Sequence, residues 1–132
     1  MDLSKNSYFV SVLIPSRNRS DRLVECIDSL YSLASDPLAI EVLIKADNDD
    51  PQTINTVQSI AHRFRLPIRV VVSPRGNGYA DLHCYINQLC HESSGEWLFI
   101  LNDDAIMTTQ NWDDNLRGYI ETAPVWHGCR YV

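Results

Sequence analysis

No stretch of the chain approaches the roughly 20 consecutive apolar residues that cross a bilayer. The start, MDLSKNSYFV, also lacks the apolar core of a secretory signal. No transmembrane segment is expected, and the expected location is the cytoplasm or the cytoplasmic face of a membrane. A basic excess is missing too, with 11 Lys+Arg against 17 Asp+Glu. Without it the counterion release that drives nucleic-acid binding has no source, so no nucleic-acid partner is expected. Cysteine is sparse: Cys26, Cys84, Cys90 and Cys129 are too few and too irregular for a secreted disulfide framework. The segment HCYINQLCH offers His83, Cys84, Cys90 and His91 to a metal. On one helix, however, His83 and Cys90 stand about 10 Å apart, from a rise of roughly 1.5 Å per residue. Ligands so spread cannot close around one zinc ion.

Other absences narrow the chemistry. There is no G-x-x-x-x-G-K-[ST] motif, and the first expected strand-to-helix turn carries no glycine. A P-loop and a dinucleotide fingerprint are both excluded. No G-x-S-x-G elbow exists, and no cysteine has an activating neighbour, which argues against a nucleophilic enzyme.

What is present is alternation. With 132 residues, 45% of them apolar, and a net charge of −6, the chain is sized for one globular domain. YFVSVLIP (Tyr8 to Pro15) reads as a strand covered on both faces. Ser20 is expected to cap a helix whose Leu23, Ile27, Leu30 and Ala34 form one stripe. AIEVLIKA (Ala39 to Ala46) repeats the strand. Asp50-Pro51 reads as N-cap plus first-turn proline of a helix with the stripe Ile54, Val57, Ala61 and Phe64. PIRVVVS (Pro67 to Ser73) is a third strand, PRGNG a loop, and Leu82, Ile86 and Leu89 the inner face of a third helix. EWLFIL (Glu96 to Leu101) is the fourth strand, expected to be central and buried. A helix is expected over Asn111 to Glu121, and APVWHGCRYV begins a further strand.

The pattern predicts a three-layer α/β/α sandwich with a mainly parallel sheet of order 3-2-1-4. In that order ligands bind beyond the carboxyl ends of the strands, where the chain reads PSRNR, DNDD and NDDA. Asp47, Asp49, Asp50, Asp103 and Asp104 would then gather on one rim and repel one another. Oxygen-only ligands of this kind favour Mg²⁺ or Mn²⁺ completed by water and phosphate. Arg17, Arg19 and Arg75 are candidates to complement the same phosphates.

Taken in order, VSVLIPSRNRSDRLVECIDSLYS, EVLIKADNDDPQT, NGYADLHCYINQ and GEWLFILNDDA resemble the family 2-like glycosyltransferases of the GT-A fold, over about Phe9 to Ala105. The most specific match is GEWLFILNDDA, which is similar to that family's strand ending in a D-x-D triplet. The resemblance implies that a nucleoside diphosphate sugar is bound and its sugar transferred to an acceptor hydroxyl. Pro15, Ser16, Arg17 and Asn18 would line the nucleotide pocket, and Asp47 or Asp49 would accept a base N–H. Asn102, Asp103 and Asp104 fall on the triplet. Asp103 joins the nucleotide-binding set, Asp104 would bind Mn²⁺ or Mg²⁺, and Asn102 would face ribose or metal without a charge, weakening metal affinity.

The base and acceptor-binding elements of that family lie further downstream, so residues 1–132 are expected to be one donor-binding domain without the acceptor half. No catalytic base is evident. Asp113 and Asp114 read as helix-dipole acids. A nucleotide- and metal-binding module without turnover is the alternative. A receiver-type phosphoacceptor fits poorly, because PSRNR has no acid and Lys45 lies within a strand. The acceptor is unknown, and Trp112 and Trp126 suggest an edge that a partner chain or second copy would cover.

Overall fold

The computed structural model describes residues 8–122, 125–126 and 129–130. Strands β1 (Tyr8–Ser16), β2 (Ile40–Asp47), β3 (Ile68–Ser73) and β4 (Gly95–Ile100) form one parallel sheet in the order β3-β2-β1-β4. Helices α1 (Ser20–Ser32), α2 (Pro51–Phe64), α3 (Leu82–Glu92) and α4 (Trp112–Thr122) complete the domain. Val125–Trp126 (β5) pairs antiparallel with Cys129–Arg130 (β6), within the tail expected to begin a strand. The rest of that tail, and the side chain of Trp126, lie outside the described residues. Among the described residues no helix is long and apolar enough to cross a membrane.

The sheet is parallel because each crossover is helical and returns the chain to the same end of the strands. Every residue of β2 is buried, and β1 is buried from Phe9 to Ile14. On one face Val10, Val12, Ile14, Val42 and Ile44 meet Leu23, Ile27 and Leu30 of α1, Val57 of α2, and Trp112 and Ile120 of α4. Each such aliphatic side chain contributes about 1.5–3 kcal/mol through burial. On the opposite face the packed centre is only Leu13, Leu43 and Leu89, flanked by Val71 and Cys90. Gly95 starts β4 where a side chain has no room: a Cβ there would lie 2.6 Å from the Ser11 amide nitrogen.

Several sequence expectations are corrected. β4 is an edge strand among the described residues rather than a central one, and it alternates half-buried with exposed. Leu98 and Ile100 are 47% and 58% exposed because α3 packs over β1 and β2 and no described element covers β4 on that side. Ser20 is the first helical residue rather than the cap; Arg19 takes the cap position without a side-chain cap bond. Phe64 is exposed, and Ile60 with Ala61 carries the end of the α2 stripe instead. Of the α3 stripe only Leu89 is fully buried. Trp112 is no sticky edge: its ring is buried against Phe99 and its Nε1–H donates to the Leu30 carbonyl at 2.8 Å.

Candidate functional site

Beyond the carboxyl ends of β1, β2 and β4 lies an open crevice of about 570 Å³. Pro15, Ser16, Arg17, Lys45, Asp47, Asn102, Asp103 and Asp104 line it, with Arg19, Arg75, Tyr79, Leu82 and Tyr85 among the other walls. The parallel sheet brings these residues together because each terminates a strand or opens the loop or helix that follows one. Seven of the nine expected site residues meet here. Asn18 and Asp49 are not in the lining.

Asn18 serves the backbone. Its φ of +52° puts the chain in the left-handed region, which asparagine tolerates, and its N–H donates to Asp50 Oδ2 at 2.8 Å. Asp50 caps α2 as expected, accepting from the Thr53 amide at 3.3 Å and the Thr53 hydroxyl at 2.6 Å. Burial alone would raise the Asp50 carboxyl; the bonds from Thr53 and the Asn18 amide outweigh it and hold the group below its ordinary range.

Asp47 is almost fully buried between two cations. Lys45 Nζ donates to its Oδ1, and Arg17 Nη1 donates to its Oδ2 at 2.6 Å. Lys45, 1% exposed, also donates to the Pro74 carbonyl at 3.3 Å and sits 3.8 Å from the centre of the Tyr85 ring, so its charge is compensated on every side. The same Arg17 grips Asp49, Nη1 to Oδ1 at 2.6 Å and Nη2 to Oδ2 at 3.2 Å. The Asp49 side chain is 60% exposed. Hydrogen bonding to Asp49 and then Asp47 raises the Arg17 pKa, and hydrogen bonding to Arg17 lowers that of Asp49.

Across the crevice the triplet divides. Asp103 is buried, accepting from the Ser16 hydroxyl at 2.9 Å and from Arg19 Nη1 at 3.3 Å. This clamp ties the end of β1 to the loop after β4. Asp104 and Asn102 are exposed, and the Asp104 carboxylate makes no hydrogen bond or ion pair with the described residues. Beneath them Cys26 Sγ lies 3.8 Å from the Asn102 carbonyl. Burial, then the charges of Asp103 and Asp104, push its thiol up to about 11, which keeps it protonated and unreactive.

The expected crowd of five mutually repelling acids is therefore corrected. Arg17, Arg19 and Lys45 neutralise Asp47, Asp49 and Asp103, and Asp50 is absorbed into a helix cap. Among the described residues no group of three or more His, Cys, Asp or Glu is placed to share an ion. One open carboxylate beside an amide oxygen still suits a hard cation that takes its other ligands from phosphate and water. Asp113 is removed from consideration as a base or a simple dipole acid: it is fully buried and accepts the amides of Ser35 and Asp36 at 2.7 and 2.9 Å. Sequence reasoning missed Lys45 and Tyr85 as site residues. The available signal was a lysine inside the otherwise apolar EVLIKA, where burial demands a carboxylate partner.

The fold is similar to those of several solved structures. It aligns with the mannosyltransferase PcManGT from Pyrobaculum calidifontis in complex with GDP-Man and Mn²⁺ at TM-score 0.76 and 20% identity, over 92% of this chain and 35% of that one. It aligns with S. aureus TarS 1–349 in complex with UDP-GlcNAc at TM-score 0.68 and 18% identity, over 94% and 37%. A further crystal structure of S. aureus TarS gives TM-score 0.69 and 19% identity, over 86% and 19%. The chain thus spans less than two-fifths of each of these proteins. No curated protein matches it in sequence. The family model described as Glycosyl transferase family 2 matches residues 11–131, nearly the whole chain. With its 3-2-1-4 parallel sheet and a crevice at the carboxyl ends of the strands, the chain belongs to glycosyl transferase family 2 and has the GT-A fold.

Proposed function

We propose that the crevice binds a nucleoside diphosphate sugar together with Mn²⁺ or Mg²⁺, and that the sugar is passed to an acceptor hydroxyl. The observation that carries this reading is the division of charge across the crevice. Arg75, whose guanidinium makes no hydrogen bond or ion pair with the described residues, stands on one side, and the uncommitted Asp104 stands with Asn102 on the other. A diphosphate between them meets a guanidinium directly and meets Asp104 only through a cation, since two anions otherwise repel. PcManGT with GDP-Man and Mn²⁺ and TarS with UDP-GlcNAc support the same ligand class on the same fold.

In this reading Asp104 holds the ion, with Asn102 contributing an amide oxygen or a water contact. Pro15 and Ser16 wall the nucleotide, and Asp103 keeps the two loops in register. A bound divalent ion supplies Lewis-acid stabilisation of the charge that departs with the diphosphate. Residues 1–132 act as one donor-binding domain, with the acceptor held by elements beyond the crevice. Binding without turnover is the second reading. It is favoured by the state of the carboxylates lining the crevice: Asp47 and Asp103 are buried in ion pairs, leaving none but Asp104, which the cation requires.

Calorimetry of UDP and GDP against EDTA-treated protein, with and without Mn²⁺, tests the site. Binding strengthened about tenfold or more by Mn²⁺ is expected, and equal affinity in both conditions removes the metal from the account. A labelled-donor assay over sugar, lipid and protein acceptors then separates transfer from binding alone.

A further inference from the structure

The first turns of α1 and α2 are completed differently. In α2, Asp50 accepts both the amide and the hydroxyl of Thr53. In α1, Arg19 holds the cap position without a side-chain bond, and the amides of Ser20, Asp21 and Arg22 find no acceptor among the described residues. Open first-turn amides at the positive end of a helix dipole favour an anion. A second observation stands beside them. A hollow of about 320 Å³, sharing only Arg19 with the crevice, is lined by Asn18, Arg19, Ser20, Asp21, Arg22 and Gln52. Ser20 is 7% exposed, yet its hydroxyl makes no hydrogen bond with the described residues. Every fully buried side-chain oxygen or nitrogen among those residues has a partner. The unbonded Ser20 hydroxyl is therefore the part of a buried residue that solvent reaches, and the hollow is where it does so. A polar group so nearly enclosed lacks only an acceptor.

We propose that this hollow is an anion site, distinct from the crevice, that takes a phosphate group on the first-turn amides and hydroxyl of α1 and on Arg22. The donors are many. Arg22 is exposed and makes no ion pair with the described residues, so its whole fork of N–H groups remains free. Arg19 gives Nη1 to Asp103 and keeps its other donors. Asn18 and Gln52 add side-chain amides. Against them stands one carboxylate, that of the exposed Asp21. Two guanidinium groups and a helix N-terminus exclude a cation. A phosphate has enough oxygens to accept from amides, hydroxyl and guanidinium together, and each such bond is charge-assisted. The phosphate is either free or carried as a monoester on a larger molecule; the recognised chemistry is the same. The inference does not rest on how the crevice is read.

The test follows backbone amides by NMR while the chain is titrated with inorganic phosphate, and separately with phenyl phosphate, at constant ionic strength with chloride as the reference anion. Saturable shifts of the Ser20, Asp21 and Arg22 amides are expected, half-complete at roughly millimolar phosphate. Arg22→Gln is expected to weaken binding by about tenfold, as the loss of one charge-assisted contact. Asp21→Asn is expected to tighten it by about threefold, since it removes the one opposing charge at an exposed position. Both side chains are exposed and bond to nothing described, and the same spectra report whether each variant is folded. Tighter binding of phenyl phosphate assigns the site to a carried monoester, and equal or weaker binding assigns it to the free ion; either result upholds the phosphate site. Shifts that chloride reproduces overturn the proposal. So do shifts confined to the crevice loops after β3 and β4, and so does an affinity unchanged in both variants. The titration of the wild-type chain stands whether or not either variant folds.

Discussion

The acids after β2 and the acids after β4 share one rim, but the chain treats them in opposite ways. After β2 every carboxylate is used internally: Asp47 and Asp49 by Lys45 and Arg17, Asp50 by the first turn of α2. After β4 the buried Asp103 is used by Ser16 and Arg19, while Asp104 and Asn102 face the crevice. Buried carboxylates are stable only with donors at hand, so the packed acids build the rim. The one left over is free to meet a ligand. In the proposed reading the metal is met by the acid without a partner among the described residues, not by acid content alone.

The sharpest way to break the contrast is Asp104→Ala. Because the side chain is exposed and unbonded, the melting temperature should stay within about a degree, as for ordinary surface changes. Mn²⁺-dependent nucleotide binding should fall by about 100-fold, the upper end of what the supporting ligands of metal sites cost when removed. Calorimetry beside a thermal melt reads both. A large melting shift with intact binding would place Asp104 among the structural acids.

Asp103→Ala should do the reverse. It strips partners from Ser16 and Arg19 at a buried position, so a stability loss of about 1–3 kcal/mol is expected in urea unfolding. The loss of nucleotide affinity should be smaller than for Asp104→Ala. Asn102→Asp sharpens the contrast from the other side. Adding a charge beside Asp104 should tighten Mn²⁺-dependent binding by several-fold, within about 1 kcal/mol, because the new charge remains solvated. Unchanged metal dependence would remove position 102 from the ion's surroundings.

Much of this was legible in the sequence where local chemistry decides the outcome. Asp50-Pro51 announced the start of α2, and the apolar runs of β1 and β2 announced a buried parallel pair in the order found. LFIL misled, because an apolar run reads alike whether a strand is covered on both faces or on one. Only the position of α3 over β1 and β2 leaves Leu98 and Ile100 open. The repulsion expected among five acids failed for a related reason: Arg17 reaches Asp47 across 30 positions and Arg19 reaches Asp103 across 84. Such pairings follow from strand order and side-chain length, which no local pattern encodes. Asp113 likewise looked like a helix-start acid and is a buried clamp on the loop after α1.

The smallest expected effect concerns pH, and it tests the packed acids of the loop after β2. Asp49 and Asp50 have pKa values below the ordinary carboxylate value in the folded chain. The unfolded chain therefore binds more protons than the folded one between the two sets of values. The stability these groups contribute is fully present above the unfolded value of about 4 and is lost as pH falls through the lower folded values. Unfolding free energy measured from pH 6 to pH 2 should accordingly decline mainly below about pH 4. Asp50→Asn should flatten part of that decline, since it removes the titrating group while keeping an oxygen that caps the helix at a cost of a few tenths to about 1 kcal/mol. An acid limb as steep in Asp50→Asn as in the wild-type chain would remove Asp50 from the packed acids that carry it.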